Sequence, residues 1–154
     1  MLFLLFQVGK DRYALAGSEI IQVLPLVELK SVPCAAPPVA GLFNYHGTPV
    51  PVIDLTQCMA NHSARPWLST RIILVKYAAK GDGTRTLGLL AERAVEVFTC
   101  ELKDFIDGGV ATDGTPYLGP VARDPRGLIQ WVHPENLLPE SIRNLLFRET
   151  LEGV

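Results

Sequence analysis

The amino-acid sequence predicts an all-β fold, a barrel or a sandwich, followed by one helix at the carboxyl terminus. Eight to ten short apolar runs occur along the 154 residues, and turn-forming residues separate them at intervals of about 8–12 residues. The 13 Gly and 12 Pro residues disfavour long helices. Helical spacing of apolar residues occurs only from Pro139 onwards, at Ile142, Leu145 and Leu146. We therefore expect strands within residues 1–138 and a helix within residues 139–154.

Four pairs of apolar runs, each joined by a turn signal, are predicted to form β-hairpins. They are residues 2–8 with 12–16, 41–45 with 50–55, 71–77 with 86–90, and 117–122 with 127–133. A further run, residues 20–29, is interrupted by Pro25, which predicts an edge or a bend there. Residues 95–100 alternate between apolar and polar, which predicts a half-buried strand or a continuation of the preceding one. The uninterrupted apolar run Ile72–Val75 predicts a strand that is buried on both faces.

Two features of the central hairpin predict its local structure. Pro49 and Pro51 are two residues apart, so both missing N–H groups face the same side and we expect an open strand edge there. Asp54 precedes residues 56–60, a predicted helical turn that its carboxylate would cap. The polar segment Asn61–Pro66 then separates two groups of strands. This predicts two lobes, roughly residues 1–60 with a possible carboxyl-terminal contribution, and roughly residues 67–130.

Charge and cysteine content exclude several classes of protein. The net charge of −2 argues against a nucleic-acid-binding protein, because a phosphate backbone requires a basic surface. The three cysteines, Cys34, Cys58 and Cys100, include no CxxC pair, so neither a disulfide framework nor a zinc signature is predicted. No apolar stretch approaches the roughly 20 residues of a membrane span, which predicts a cytoplasmic protein without direct membrane insertion.

Catalytic and metal-binding patterns are weak. Cys58 and His62 have a spacing that two metal ligands could use, but no further ligand lies nearby in the sequence. The carboxylates of Glu92 and Glu96 are interpreted as solvated surface groups. We predict a binding module without a cofactor or a metal; the alternative is an enzyme centred on Cys58 and His62 or on Cys34.

Residues 41–55, GLFNYHGTPVPVIDL, resemble the central motif of the CheW family, the coupling proteins of bacterial chemosensory arrays. The likeness extends over residues 1–138. Its further segments are residues 2–15, 19–24, 87–97 and 119–138. The resemblance implies one CheW-like domain of two packed, five-stranded, SH3-like β-barrels, with residues 139–154 as a carboxyl-terminal helix and tail.

The resemblance also implies a non-enzymatic adaptor, recruited from the cytoplasm to membrane-associated receptor arrays. Its partners would be the cytoplasmic tip of a methyl-accepting chemoreceptor and the regulatory domain of a CheA-type histidine kinase. By resemblance, the receptor-binding residues are Ile20, Gln22, Gly41, Leu42, Asn44 and His46, and the structural residues of the motif are Gly47, Pro51, Asp54 and Leu55. An apolar groove for a receptor helix would contain Ile20, Leu42 and Phe43, one of the last two being in the core. The alternative is a CheW-like protein that binds receptor or kinase without activating the kinase.

Two residues depart from the family pattern. The family usually has Arg at the position of His46 and Glu at the position of Gln22, and these family residues can form an ion pair. Gln and a largely neutral His cannot form that pair at neutral pH. We therefore expect a specialised paralogue that serves a particular receptor or a non-flagellar pathway, such as surface sensing or pilus control.

Overall fold

The computed structural model describes residues 1–78, 83–108 and 114–146. The strands within these residues are β1 (Leu2–Val8), β2 (Asp11–Ala16), β3 (Ile20–Pro25), β4 (Val39–Tyr45), β5 (Thr48–Asp54), β6 (Arg71–Ala78), β7 (Thr84–Thr99), β8 (Leu118–Asp124) and β9 (Gly127–Val132). The helices are α1 (Leu55–Ala60) and α2 (Glu140–Leu146), with short 3₁₀ turns at Gly17–Glu19, Leu102–Asp104 and Pro134–Asn136.

The long strand β7 belongs to two five-stranded groups. Its first half pairs with β6 and, in parallel, with β5, and the strand order of this group is β3-β6-β7-β5-β4. Its second half pairs with β1, and the strand order of the other group is β7-β1-β2-β9-β8. We call these groups the β4 lobe and the β1 lobe. The runs predicted separately at residues 86–90 and 95–100 are therefore one continuous strand.

Each group closes into a small barrel through one isolated bridge. In the β4 lobe, Lys30 follows edge strand β3 and exchanges two backbone hydrogen bonds, of 2.9 and 2.8 Å, with Leu42 of edge strand β4. In the β1 lobe, Ile106 follows β7 and exchanges two bonds of 2.8 Å with Val121 of β8. A pair of backbone hydrogen bonds thus closes each sheet, and the predicted pair of five-stranded barrels is confirmed.

The division of the sequence between the lobes differs from the predicted boundary at residues 61–66. β1 and β2 pair with β8, β9 and the second half of β7, whereas β3, β4 and β5 join β6. Neither lobe is therefore a continuous segment. The physical reason is the length of β7, whose 16 residues are enough to serve both barrels in turn.

Three apolar clusters lie within the part of the chain that the structure describes. One lies inside each barrel, and the largest is shared between the lobes and includes Phe6, Leu15 and Ile53. Alternate residues of β6 enter different clusters, Ile72 in the β4-lobe interior and Ile73 in the shared core. The predicted burial of this strand on both faces is confirmed.

Helix α2 confirms the predicted helix over residues 140–146, where Ile142 and Leu146 pack against the shared core. The remainder of the predicted helix region, residues 147–154, lies outside the described residues, as do residues 79–82 of the turn between the predicted strands 71–77 and 86–90. The run predicted over residues 20–29 forms a strand only as far as Pro25, where the missing N–H ends the ladder.

Candidate partner-binding site

The resemblance places most of the candidate site on β3, β4 and the turn that joins β4 to β5. This turn consists of two residues, His46 and Gly47, with positive φ values of 51° and 89°. Such a pair of left-handed residues suits the right-handed twist of the flanking strands. The side chain of Asn44 fixes the turn, because its Oδ1 accepts a hydrogen bond of 2.9 Å from the Gly47 amide.

Tyr45 links the two residues that depart from the family pattern. Its hydroxyl donates a hydrogen bond of 3.2 Å to Oε1 of Gln22, and its ring centroid lies 4.5 Å from that of His46. A tyrosine thus stands between β3 and the turn, where the family residues could form an ion pair. The sequence interpretation missed Tyr45, although its position directly before the turn placed it beside His46.

Gly41 supports the site from beneath. It is buried at a φ of 152°, and a Cβ atom there would lie 2.6 Å from the carbonyl oxygen of Lys30. The absence of a side chain lets the Lys30–Leu42 bridge close over it. Gly41 therefore shapes the β3–β4 edge and presents no side-chain surface of its own.

The exposed apolar residues of β3 differ from those of the predicted groove. Ile20 packs against the shared core and Phe43 against the β4-lobe interior, while Leu42 is half-buried. The register shifts between Ile20 and Gln22, which leaves Ile21 as an extra residue. Ile21 and Val23 are 40% and 39% exposed, so the exposed apolar side chains of β3 are these two and not Ile20. A bulge of this kind has no sequence signal in a run of apolar residues.

The edge predicted at Pro49 and Pro51 is present. These residues lie opposite Asn44 and Leu42 of β4, in the pairs that alternate with the hydrogen-bonded Tyr45–Thr48 pair next to the turn. Their ring nitrogens therefore face away from β4. Within the described residues, the pairing of β5 with β7 begins only after Pro51, so the first half of β5 has an open edge on that side.

Two buried carboxylates fix the segment that follows β5. Asp54 caps α1 as predicted, because Oδ1 accepts from the Gln57 amide at 3.1 Å, and Oδ2 also accepts from the Ala64 amide at 2.8 Å. Leu55, next in the chain, is fully buried in the shared core. Glu92 is also buried, so its predicted solvation is wrong.

Two hydrogen bonds compensate for the burial of the Glu92 carboxylate. Its Oε2 accepts hydrogen bonds from Thr56 Oγ1 at 3.1 Å and from the Arg65 amide at 3.3 Å. Glu96, for which the same prediction of solvation is correct, is exposed and bonded to Arg126. The two carboxylates therefore act separately and are not a catalytic pair.

The chemistry proposed for an enzyme finds little support at Cys58. Burial, and to a lesser degree the Asp54 carboxylate, raises the pKa of this thiol to about 11. The thiol is therefore protonated at neutral pH and is neither a ready nucleophile nor a ready metal ligand.

Among the described residues, no group of three or more His, Cys, Asp or Glu side chains could hold a metal ion. In that same part of the chain, no helix is long and apolar enough to cross a membrane.

Comparison with known proteins agrees with this architecture. The crystal structure of the scaffolding protein TtCheW from Thermoanaerobacter tengcongensis superposes with a TM-score of 0.79 at 19% identity, over 92% of this chain and 89% of that chain, which shows a common fold. A search of curated proteins finds no match. The family model of the CheW-like domain matches residues 2–141, nearly the whole sequence. The chain therefore belongs to the CheW-like domain family.

Proposed function

We propose that this protein is a non-enzymatic scaffold that couples a methyl-accepting chemoreceptor to a CheA-type histidine kinase. The observation that carries the proposal is the match of the family model to residues 2–141, which span both closed barrels. The similar solved protein is itself described as a scaffolding protein. In this proposal the chain works in the cytoplasm at receptor arrays and brings the kinase regulatory domain to the receptor tip.

The receptor surface of the proposal is the outer part of β3 together with the β4–β5 turn. Ile21 and Val23 supply exposed apolar area, and Gln22, Asn44 and His46 supply exposed polar groups beside it. An amphipathic receptor helix requires both exposed apolar side chains and exposed polar groups, and this part of the chain provides both. Ile20 and Gly41 act in this proposal as supports of the surface.

The decisive test is a reconstituted kinase assay with receptor, kinase and this protein. A coupling protein raises receptor-dependent phosphorylation as it is added. The alternative, a competitor that binds one partner only, lowers the phosphorylation that a housekeeping coupling protein supports. An I21D variant should lose receptor recruitment, whereas L145D, the same change at an exposed position of α2, should retain it. Equal loss or equal retention in the two variants would reject the proposed receptor surface.

The specialised role is proposed from the Gln22–Tyr45–His46 arrangement. Its hydrogen bond and ring contact supply no ion pair of the family type, so receptors suited to that pair should bind weakly. A double variant, Q22E together with H46R, should increase binding to the main chemotaxis receptors of the organism in pull-down experiments. Binding by the unaltered protein as tight as that of the housekeeping coupling protein would contradict specialisation.

A further inference from the structure

The segment between α1 and β6, together with Arg93 of β7, carries a basic and aromatic cluster that the proposed coupling function does not use. The Cζ atom of Arg93 lies 4.7 Å from the ring centroid of Trp67, and that of Arg65 lies 5.5 Å from it. Both are within the distance at which a guanidinium interacts with an aromatic ring. We call these three residues the Trp67 cluster.

The cluster is held in place by backbone anchors at both ends of its segment. The Arg65 amide donates to Glu92, the Thr70 hydroxyl donates to the Arg65 carbonyl at 2.5 Å, and Ala94 donates to the Ser69 carbonyl at 3.0 Å. The segment is thereby tied to β7 on either side of Arg93. Arg93 itself has a φ of 53°, a left-handed conformation that is uncommon for a residue other than glycine. Residues held in such conformations are concentrated at functional sites.

The two arginines of the cluster keep hydrogen-bond donors for a partner. Within the described residues, neither guanidinium has a carboxylate within 4.0 Å, whereas the nearby Arg12 and Arg126 are paired with Asp124 and Glu96. A guanidinium that lies over a ring retains its in-plane N–H groups, which suit the two oxygens of a carboxylate. The Trp67 cluster is therefore poised to receive negative charge.

The surroundings of the cluster indicate what bears that charge. A cleft of about 290 Å³ lies between the cluster and Gln7, Gly9, His62 and Glu92. Leu68, which follows Trp67 in the chain, is 99% exposed, and Trp67 is 37% exposed. A small anion would leave both apolar side chains in water. A peptide could place carboxylates on the arginines and an apolar side chain on Leu68.

We propose that the Trp67 cluster is a docking site for an acidic segment of a partner protein, in which carboxylates flank an apolar residue. An anionic membrane or a nucleic acid is disfavoured, because the protein carries a net charge of −2 and only two arginines of the cluster are unpaired. None of the six residues assigned to receptor binding lines the cleft. The site is therefore independent of the proposed receptor surface.

The two tryptophans allow a direct test on the full chain by nuclear magnetic resonance. The probe is a short synthetic peptide in which Glu residues flank one Leu, and the observed signals are the two indole N–H groups. Trp67 lies in the cluster, while Trp131 packs in the β1-lobe interior and serves as the internal reference. We expect the peptide to shift the Trp67 signal and leave that of Trp131 in place, with saturation below about 1 mM peptide.

Variants test the role of each chemical group. The double variant R65Q/R93Q should weaken the peptide at least about tenfold, since charge-assisted hydrogen bonds are lost. K76Q, which removes one exposed cation of β6 that does not line the cleft, should change the affinity less than about twofold. L68S should weaken binding about fivefold without altering the charge, and because Leu68 is exposed this variant tests the site even if the arginine variant fails to fold.

Four results would overturn the proposal. They are the absence of a Trp67 shift, an equal shift with a peptide that has Gln in place of Glu, an equal shift with inorganic phosphate, and stronger binding to vesicles of anionic lipid than to the peptide. A negative result in the kinase assay would not contradict this docking site, because the resonance experiment contains neither receptor nor kinase.

Discussion

Replacing Gly41 with alanine should open the closure of the β4 lobe. The added Cβ atom would lie 2.6 Å from the Lys30 carbonyl oxygen and 3.0 Å from the Leu29 Cβ atom. The closer of these atoms belongs to the backbone, so it cannot rotate away as a flexible side chain would. Lys30 must therefore move from Leu42, and the two hydrogen bonds of 2.9 and 2.8 Å between them are strained or lost.

The loss of stability in G41A is best measured against a matched control variant, G127A. Gly127 also has a positive φ, 129°, but no atom outside its chain neighbours lies within 4 Å of a Cβ atom built there. The G127A variant therefore has conformational strain without the clash. Each backbone hydrogen bond contributes about 1 kcal/mol net, so G41A should be less stable than G127A by about 2 kcal/mol. For a chain of this length the difference corresponds to about 4–8 °C in Tm.

Thermal unfolding followed by circular dichroism measures this difference. Hydrogen exchange at the Leu42 amide provides a local measurement, because that amide donates to Lys30 and should exchange faster in G41A than in G127A. Equal Tm values for the two variants, with an unchanged Leu42 exchange rate, would refute the inference that Gly41 is required for closure.

Three further predictions concern single side chains. The Arg12 guanidinium holds the pKa of the Asp124 carboxyl at about 2, so this ion pair stabilises the fold above about pH 4 and its stabilisation is lost as the pH falls through about 2. The D124N variant should be less stable than the unaltered protein by about 1–2 kcal/mol at pH 7, and the stabilities of the two proteins should converge in acid unfolding curves. D54A should cost about 2–3 kcal/mol in urea unfolding, because two backbone N–H groups lose their acceptor, and D54N should recover part of it. Y45F should change stability by less than about 1 kcal/mol yet weaken receptor binding about threefold, because Gln22 is no longer held in place.

Each of these predictions has a contradicting result. A D124N penalty that persists unchanged at low pH would show that the ion pair is not its source. Full recovery of stability in D54N would show that only one of the two accepted bonds matters. Unaltered receptor binding in Y45F would remove the tyrosine from the proposed surface.

Local features of the fold could be predicted from the sequence. The hairpin of β4 and β5 and the Asp54 cap depend on residues within a few positions of one another, and both are present, with a turn shorter than the predicted runs imply. The burial of β6 on both faces follows from its composition alone. These signals need no knowledge of which strands become neighbours.

Features that depend on distant partners could not be predicted. β7 joins both barrels because its two halves pair with different strands. No periodicity within β7 indicates the residue at which the strand passes from one barrel to the other. Glu92 lies at that change and is buried because Thr56 and Arg65 provide donors from another part of the chain. The Gln22–Tyr45 bond likewise joins residues that are 23 positions apart. In each case the sequence shows the residue but not its partner.

The point at which β7 passes from the β4 lobe to the β1 lobe also bears on how a scaffold can hold two partners. Glu92 and Arg93 lie where the strand passes from the β4 lobe to the β1 lobe, and the largest apolar cluster takes side chains from both lobes, such as Ile53 and Leu15. Separating the lobes would expose this cluster and break a continuous strand, so the lobes resist relative movement. A partner bound at β3 and β4 and a partner bound at the Trp67 cluster would therefore be held in a fixed relative orientation. Orientation of this kind is what a scaffold contributes when it has no chemistry of its own.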